Sequence, residues 1–325
     1  MAVSYAFAVG NVRAKEGNLL RKQDIEQLLA MKTVAEALSY VRDKGFADAD
    51  TPLSVTDVLK AEEQKLWEYV ASIAPDYSVF RPFIINNDCQ NMKAVLKAAA
   101  SGRSFAELVV SPVTIAVSDI EKAVQNKDFG ILPEFLREAA KEAFEALIGM
   151  GDPQLCDALL DAAFMKEKLI LSADIKLPML AELVKTTVFY ANMKAAIRCA
   201  RAKKSVAFME KCLVDTEDVS AKRLISAATK GTDEVLTVLE GASRYSGKAA
   251  AEAFRSAPCE FEKFVDNLLM KTVMKAKYVA VGAEPLIAYL QAKLAEIQAV
   301  RIVINGIATG ETSENTREML RELYG

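Results

Sequence analysis

The chain has 325 residues, 52% of them hydrophobic, and a formal net charge of −3. This is the composition of a folded, helix-rich chain long enough to bury a sizeable core, not of a disordered one, and its mild acidity gives no reason to expect nucleic-acid binding. It contains no histidine, which excludes Ser-His-Asp and Cys-His nucleophilic sites, HExxH metal sites and imidazole acid–base chemistry.

Residues 1–20 form a leading helix, on which Arg13 and Glu16 stand three apart and can pair. Its apolar start precedes its charges (Arg13, Lys15, Glu16), the wrong order for a secretory signal. Lobe one spans 21–106 and includes the Ala-rich helix Asn91–Ala100. Lobe two spans 107–206. Leu108–Val117 is its best strand candidate, weakened by Pro112. After Leu132-Pro133 the residues Phe135, Leu136, Ala139, Ala140, Ala143, Phe144 and Leu147 recur at helical spacing. Gly149-Met-Gly151 reads as a helix stop and restart. Asp152 is placed to cap the next helix, with Pro153 at its first position, where no N–H is needed. Asp157 and Asp161 lie one turn apart on that helix and could hold magnesium, although no third ligand is visible. A helix over Thr186–Ala202 ends in the basic group Arg198, Arg201, Lys203 and Lys204, suited to a helix C-terminus.

Lobe three spans 207–311. Gly241-Ala-Ser-Arg-Tyr-Ser-Gly247-Lys248-Ala249 is a near miss to a phosphate loop. It has one residue too many between its glycines and Ala249 where a Ser or Thr should hold magnesium, so it reads as a turn. A helix over Leu286–Ile304 follows Pro285. Residues 312–325 make a closing helix, capped by Thr312 or Ser313, with Glu314 in its first turn. The five cysteines (Cys89, Cys156, Cys199, Cys212, Cys259) include no C-x-x-C pair. They read as small buried apolar residues in a reducing cytoplasm, outside any disulfide framework. No apolar run reaches the roughly 18–20 residues of a membrane span.

The lobes are suggested by an internal repeat. Pro52, Pro153 and Pro258 lie about one hundred residues apart, and each is followed thirteen residues later by Lys65, Lys166 or Lys271. Further on come Asn91-Met-Lys93-Ala, Asn192-Met-Lys194-Ala and Glu296-Ile-Gln298-Ala. Several markers in one register are an architectural signal, and the period is far longer than an ordinary solenoid repeat of roughly 20–50 residues. The expected fold is all-α, three similar helical lobes packed as one body, with each repeated proline opening the same helix.

Both ends of the chain resemble a known family. Tyr5-Ala-Phe-Ala-Val-Gly-Asn-Val-Arg13-Ala-Lys-Glu16-Gly-Asn-Leu-Leu20, Asp24-Ile-Glu-Gln-Leu-Leu29, Ile297-Gln-Ala-Val-Arg301-Ile-Val-Ile-Asn-Gly306 and Thr316-Arg-Glu-Met-Leu-Arg-Glu-Leu-Tyr324 are similar to the C subunits of V/A-type rotary ATPases, counterparts of the eukaryotic V-ATPase d subunit. Asn11, Ile307, Thr316 and Met319 depart from the usual pattern. The resemblance implies a pseudo-threefold, funnel-like arrangement of the lobes. It implies a non-catalytic central-stalk part without cofactor, a socket between the shaft subunits and the membrane proteolipid ring that couples ATP hydrolysis or synthesis to ion transport. Such a subunit would sit at the cytoplasmic membrane peripherally, through the complex. The repeated polar positions either make hydrogen bonds between lobes, the simpler reading, or line the socket. The candidate interface positions are Asn91, Lys93, Asn192, Lys194, Arg198, Glu296, Gln298 and Arg301. The alternatives are a soluble helical adaptor and, ranked below it, a magnesium-dependent helical enzyme using Asp157 and Asp161.

Overall fold

The computed structural model describes residues 4–48, 50–52 and 54–325, so residues 1–3 of the leading segment lie outside the described residues. Among the described residues every regular element is helical. The chain forms two compact units, one made of Met1–Val79 with Ala253–Gly325 and the other of Phe80–Glu252.

The first unit opens with α1 (Tyr5–Glu16), α2 (Lys22–Leu29), α3 (Val34–Asp43) and α4 (Val55–Ile73). The second holds α5 (Arg81–Ser101), α6 (Val117–Asn126), α7 (Glu134–Phe144), α8 (Pro153–Ile175), α9 (Pro178–Arg201), α10 (Val206–Cys212), α11 (Ala221–Lys230) and α12 (Thr232–Glu240). The chain leaves this unit within α13 (Gly247–Ser256) and returns to the first for α14 (Pro258–Met274), α15 (Glu284–Thr309) and α16 (Ser313–Glu318).

Helix ends follow local chemistry. Asp152 caps α8 by accepting from the Leu155 N–H at 2.9 Å, and Pro153 is the first helical residue. Pro258 opens α14 in the same way, and Pro178 opens α9. Pro52 differs: it lies two residues before Ser54, which caps α4 through the Asp57 N–H at 3.1 Å. Thr312, of the two candidates, caps α16. Gly102 and Gly310 end α5 and α15 in the left-handed conformation, where a side chain would be strained.

Each unit has its own apolar core. In the first, Leu28, Val41, Val58, Val300, Val303 and Ile304 are buried together, so α15 is the axis on which α2, α3 and α4 pack. In the second, Met92, Leu96, Ile120, Leu136, Ala140 and Leu160 join α5 to α6, α7 and α8. The stripe expected after Pro133 lies in this core. Its helix finishes in a π turn at Glu145–Gly149 before the chain restarts at Asp152.

Of two expected features, one takes another form and one stands. Leu108–Val117 is no strand, because its backbone groups bond to side chains of α5 rather than to a neighbouring strand. The Gly241–Ala249 segment is a tight turn between α12 and α13. A Cβ at Gly247 would stand 1.8 Å from the Leu239 carbonyl oxygen, so this glycine permits close helix packing.

A repeated backbone clamp and the candidate interface

The marker tetrapeptides sit on the three long helices α5, α9 and α15, and their first residues are buried. Asn91 donates from Nδ2 to the Val110 carbonyl at 2.9 Å and accepts from the Val110 N–H at Oδ1, also at 2.9 Å. Asn192 treats Val214 identically, at 2.7 and 3.0 Å. One amide side chain thus satisfies both backbone groups of a residue that has left helical structure. A buried non-helical peptide would otherwise lose its water partners without replacement.

The third copy performs the related task with different chemistry. Glu296 accepts from the Leu20 N–H, a group from the beginning of the chain. A carboxylate cannot donate to a carbonyl, and its charge needs a counter-ion. Lys293, one turn earlier, lies 2.7 Å from Glu296 and 2.9 Å from Glu62, over the face of Phe46 at 4.1 Å. Glu62 also accepts from the Ala47 N–H at 2.8 Å, where the backbone takes a left-handed turn. Burial raises the Glu296 pKa, and Lys293 works against that rise.

Around the first clamp, Asn87 donates to the Pro112 carbonyl and Asp88 accepts from Thr114 and Ile115, so α5 holds the whole Val110–Ile115 segment. Burial raises the Asp88 pKa despite these bonds. The α1 pair is more than local. Arg13 and Glu16 meet at 2.8 Å, Arg13 also donates to the carbonyls of Ala276, Lys277 and Val279, and the Tyr324 hydroxyl donates to Glu16. Both chain ends and the turn after α14 are thereby fastened together.

Asp157 and Asp161 are engaged by lysines. Lys93 reaches Asp161 at 2.6 Å and Lys97 reaches Asp157 at 2.9 Å, an antiparallel ladder between α5 and α8. Among the described residues no group of three metal-ligating His, Cys, Asp or Glu side chains is gathered. Four-residue spacing puts each pair of side chains on one face of its helix, and the packing of α5 on α8 brings the two faces together. Further along α8, Lys168 donates to Asn86 at 2.7 Å, and desolvation lowers its pKa to about 8.

The candidate interface positions therefore divide. Asn91, Asn192 and Glu296 are buried with their polar atoms bonded inside the chain. Lys93 is held by Asp161. Lys194 is half-buried, whereas Arg198, Gln298 and Arg301 are exposed. Gln298 borders a groove of about 210 Å³ between α14 and α15, with Asp266 and Arg321 paired across its rim at 3.0 Å. The sequence does not single out Lys293, Glu62, Asn87 or Asp88, because neither spacing nor residue type reveals which distant backbone group a buried polar side chain meets.

No helix among the described residues is long and apolar enough to cross a membrane. The chain is 22% identical to the C subunit of the V-type sodium ATPase of Enterococcus hirae, over 96% of this chain and 97% of that protein. It is 24% identical to the C subunit of the A-type ATP synthase of Methanothermobacter thermautotrophicus, over 92% and 83% of the two chains. It is 22% identical to the C subunit of the V-type ATP synthase of Thermus thermophilus, over 93% of each. The model of the ATP synthase (C/AC39) subunit family matches residues 8–319, and the chain belongs to that family.

Proposed function

We propose that this chain is the non-catalytic C subunit of a V/A-type rotary ATPase. In this reading it is the central-stalk socket that joins the rotor shaft to the membrane proteolipid ring and couples ATP hydrolysis or synthesis to ion transport. The observation that carries the reading is the family match across residues 8–319, nearly the whole chain. The three marker helices, each using a buried polar side chain to hold a distant backbone segment, support three similar lobes in a pseudo-threefold funnel. The lobes are taken as 21–106, 107–206 and 207–311, with the terminal segments closing the assembly. A part that transmits torque must resist deformation, and densely packed helices with loops bonded to them provide that. The clamps shape the socket from within, while Lys194, Arg198, Gln298 and Arg301 offer side chains to the partners. The subunit is peripheral, at the cytoplasmic face of the membrane through the complex.

The test is a pull-down of the tagged chain from gently solubilised native membranes, with partners identified by mass spectrometry. Shaft subunits and the proteolipid are expected together. Recovery of soluble proteins alone, from an extract in which the ATPase is intact, overturns the socket reading in favour of a free adaptor.

A further inference from the structure

We propose that Cys199 and Cys212 are a modification site, a thiol pair that closes to an intramolecular disulfide on exposure to peroxide. The two sulfurs lie 3.8 Å apart, Cys199 on α9 and Cys212 as the last residue of α10. A disulfide needs about 2.05 Å. The sulfurs already face one another, and Cys212 ends a helix of only seven residues, so side-chain rotation with a small shift of that terminus closes the gap.

The other cysteines set the contrast. Cys259 is exposed, unlike the buried role read from its type, and the other four, Cys199 and Cys212 included, are buried. Burial pushes the Cys89 thiol up to about 12 and the Cys156 thiol to about 11, which leaves almost no thiolate to react. Cys199 behaves differently: its contact with Cys212 holds its thiol below the usual range, with Lys204 adding in the same direction. Cys212, whose sulfur also lies 3.5 Å from the Met209 carbonyl, is raised by the same contact.

The chemistry balances with peroxide as the oxidant. The Cys199 sulfur attacks one peroxide oxygen, the O–O bond breaks, and with its proton redistributed the products are a sulfenic acid and one water. The Cys212 sulfur then attacks the Cys199 sulfur, the S–O bond breaks, and a second water leaves with the Cys212 proton. Both thiols have together lost two electrons to the peroxide. The new bond joins α9 to the end of α10, two residues before Val214. That segment would then be held by Asn192 and by the disulfide.

The experiment treats the purified full-length chain with increasing hydrogen peroxide, alkylates free thiols under denaturing conditions, and maps peptides without reduction. The expected result is a Cys199–Cys212 cross-linked peptide within the monomer, abolished by dithiothreitol, while Cys89 and Cys156 remain alkylated. The oxidised chain should unfold at a higher temperature, reversibly with reductant. In Cys212→Ser, Cys199 should stop at a sulfenic acid that dimedone traps. The proposal is overturned if Cys199 and Cys212 stay as alkylatable as Cys89 and Cys156 at a peroxide level that oxidises Cys259, or if either pairs with another cysteine. The wild-type mapping decides the matter even where the serine variant folds poorly.

Discussion

Asn192 answers two buried backbone groups with one side chain, and that makes it a sharp probe of the clamp. Asn192→Ala leaves the Val214 N–H and C=O without partners. Each unmet group costs roughly 1–3 kcal/mol, and the urea unfolding midpoint should fall accordingly. Asn192→Asp is the more discriminating change. It keeps the acceptor for the Val214 N–H but turns the donor into a charged oxygen facing the Val214 carbonyl. It should be at least as damaging as alanine at neutral pH and should recover in acid, where a protonated carboxyl can donate again. Equal midpoints for wild type and both variants would remove the clamp from the account. Glu296 supplies a second residue-scale test. Burial holds its folded-state pKa above the unfolded value, so its contribution favours folding at low pH and is lost as pH rises through the folded pKa. Lys293→Met removes the cation that opposes this rise and leaves Glu62 and Glu296 buried together. A broken buried pair costs about 3–5 kcal/mol. The penalty, read from urea midpoints, should be largest near about pH 8 and shrink toward about pH 5. A penalty independent of pH would mean that the carboxylates find other relief.

At the scale of the helices, two glycines make a controlled comparison. Gly247 starts α13 against the Leu239 carbonyl, and a methyl group there meets immovable backbone. Gly247→Ala should destabilise by about 1–3 kcal/mol or more, as overpacking does. Gly10 lies within α1 with nothing near its missing Cβ. Gly10→Ala should stabilise the helix by roughly 0.5–1 kcal/mol. Thermal unfolding of the two variants side by side checks both, and the same sign for both would contradict the packing argument. Helix starts were largely readable: Asp152-Pro153, Pro258 and Thr312 act through bonds or constraints within a few residues of themselves. The segment after Leu108 was not, because three side chains of α5 replace the strand neighbour that its alternation suggested.

For the whole molecule, the exposed cations are the informative handles on assembly. Arg198 is exposed and Lys194 half-buried on the same face region of α9, one turn apart. If α9 meets an acidic partner, reversing both to Glu should weaken association with the shaft subunits at least tenfold, with a steep salt dependence in the wild type. Unfolding midpoints within experimental scatter of wild type would show that the loss is not one of stability, and unchanged binding would remove these positions from the interface. Reversal at Lys93 also breaks the pair with Asp161.

The helical class, the lack of any histidine, the period of about one hundred residues and the family resemblance at both ends are legible in the order of residues. These depend on composition, on apolar spacing along one helix, and on the order of residues, all properties of the chain read locally. Tertiary structure alone decided what the repeated polar residues do. Asn91 and Asn192 meet backbone nineteen and twenty-two residues further on, while Glu296 meets Leu20, nearly the full chain length away. It also decided that Asp157 and Asp161 face lysines of α5, and that two of five cysteines touch. A buried polar group takes whichever partner the packed core brings within about 3 Å, and that partner is chosen by the fold rather than by its neighbours in the chain.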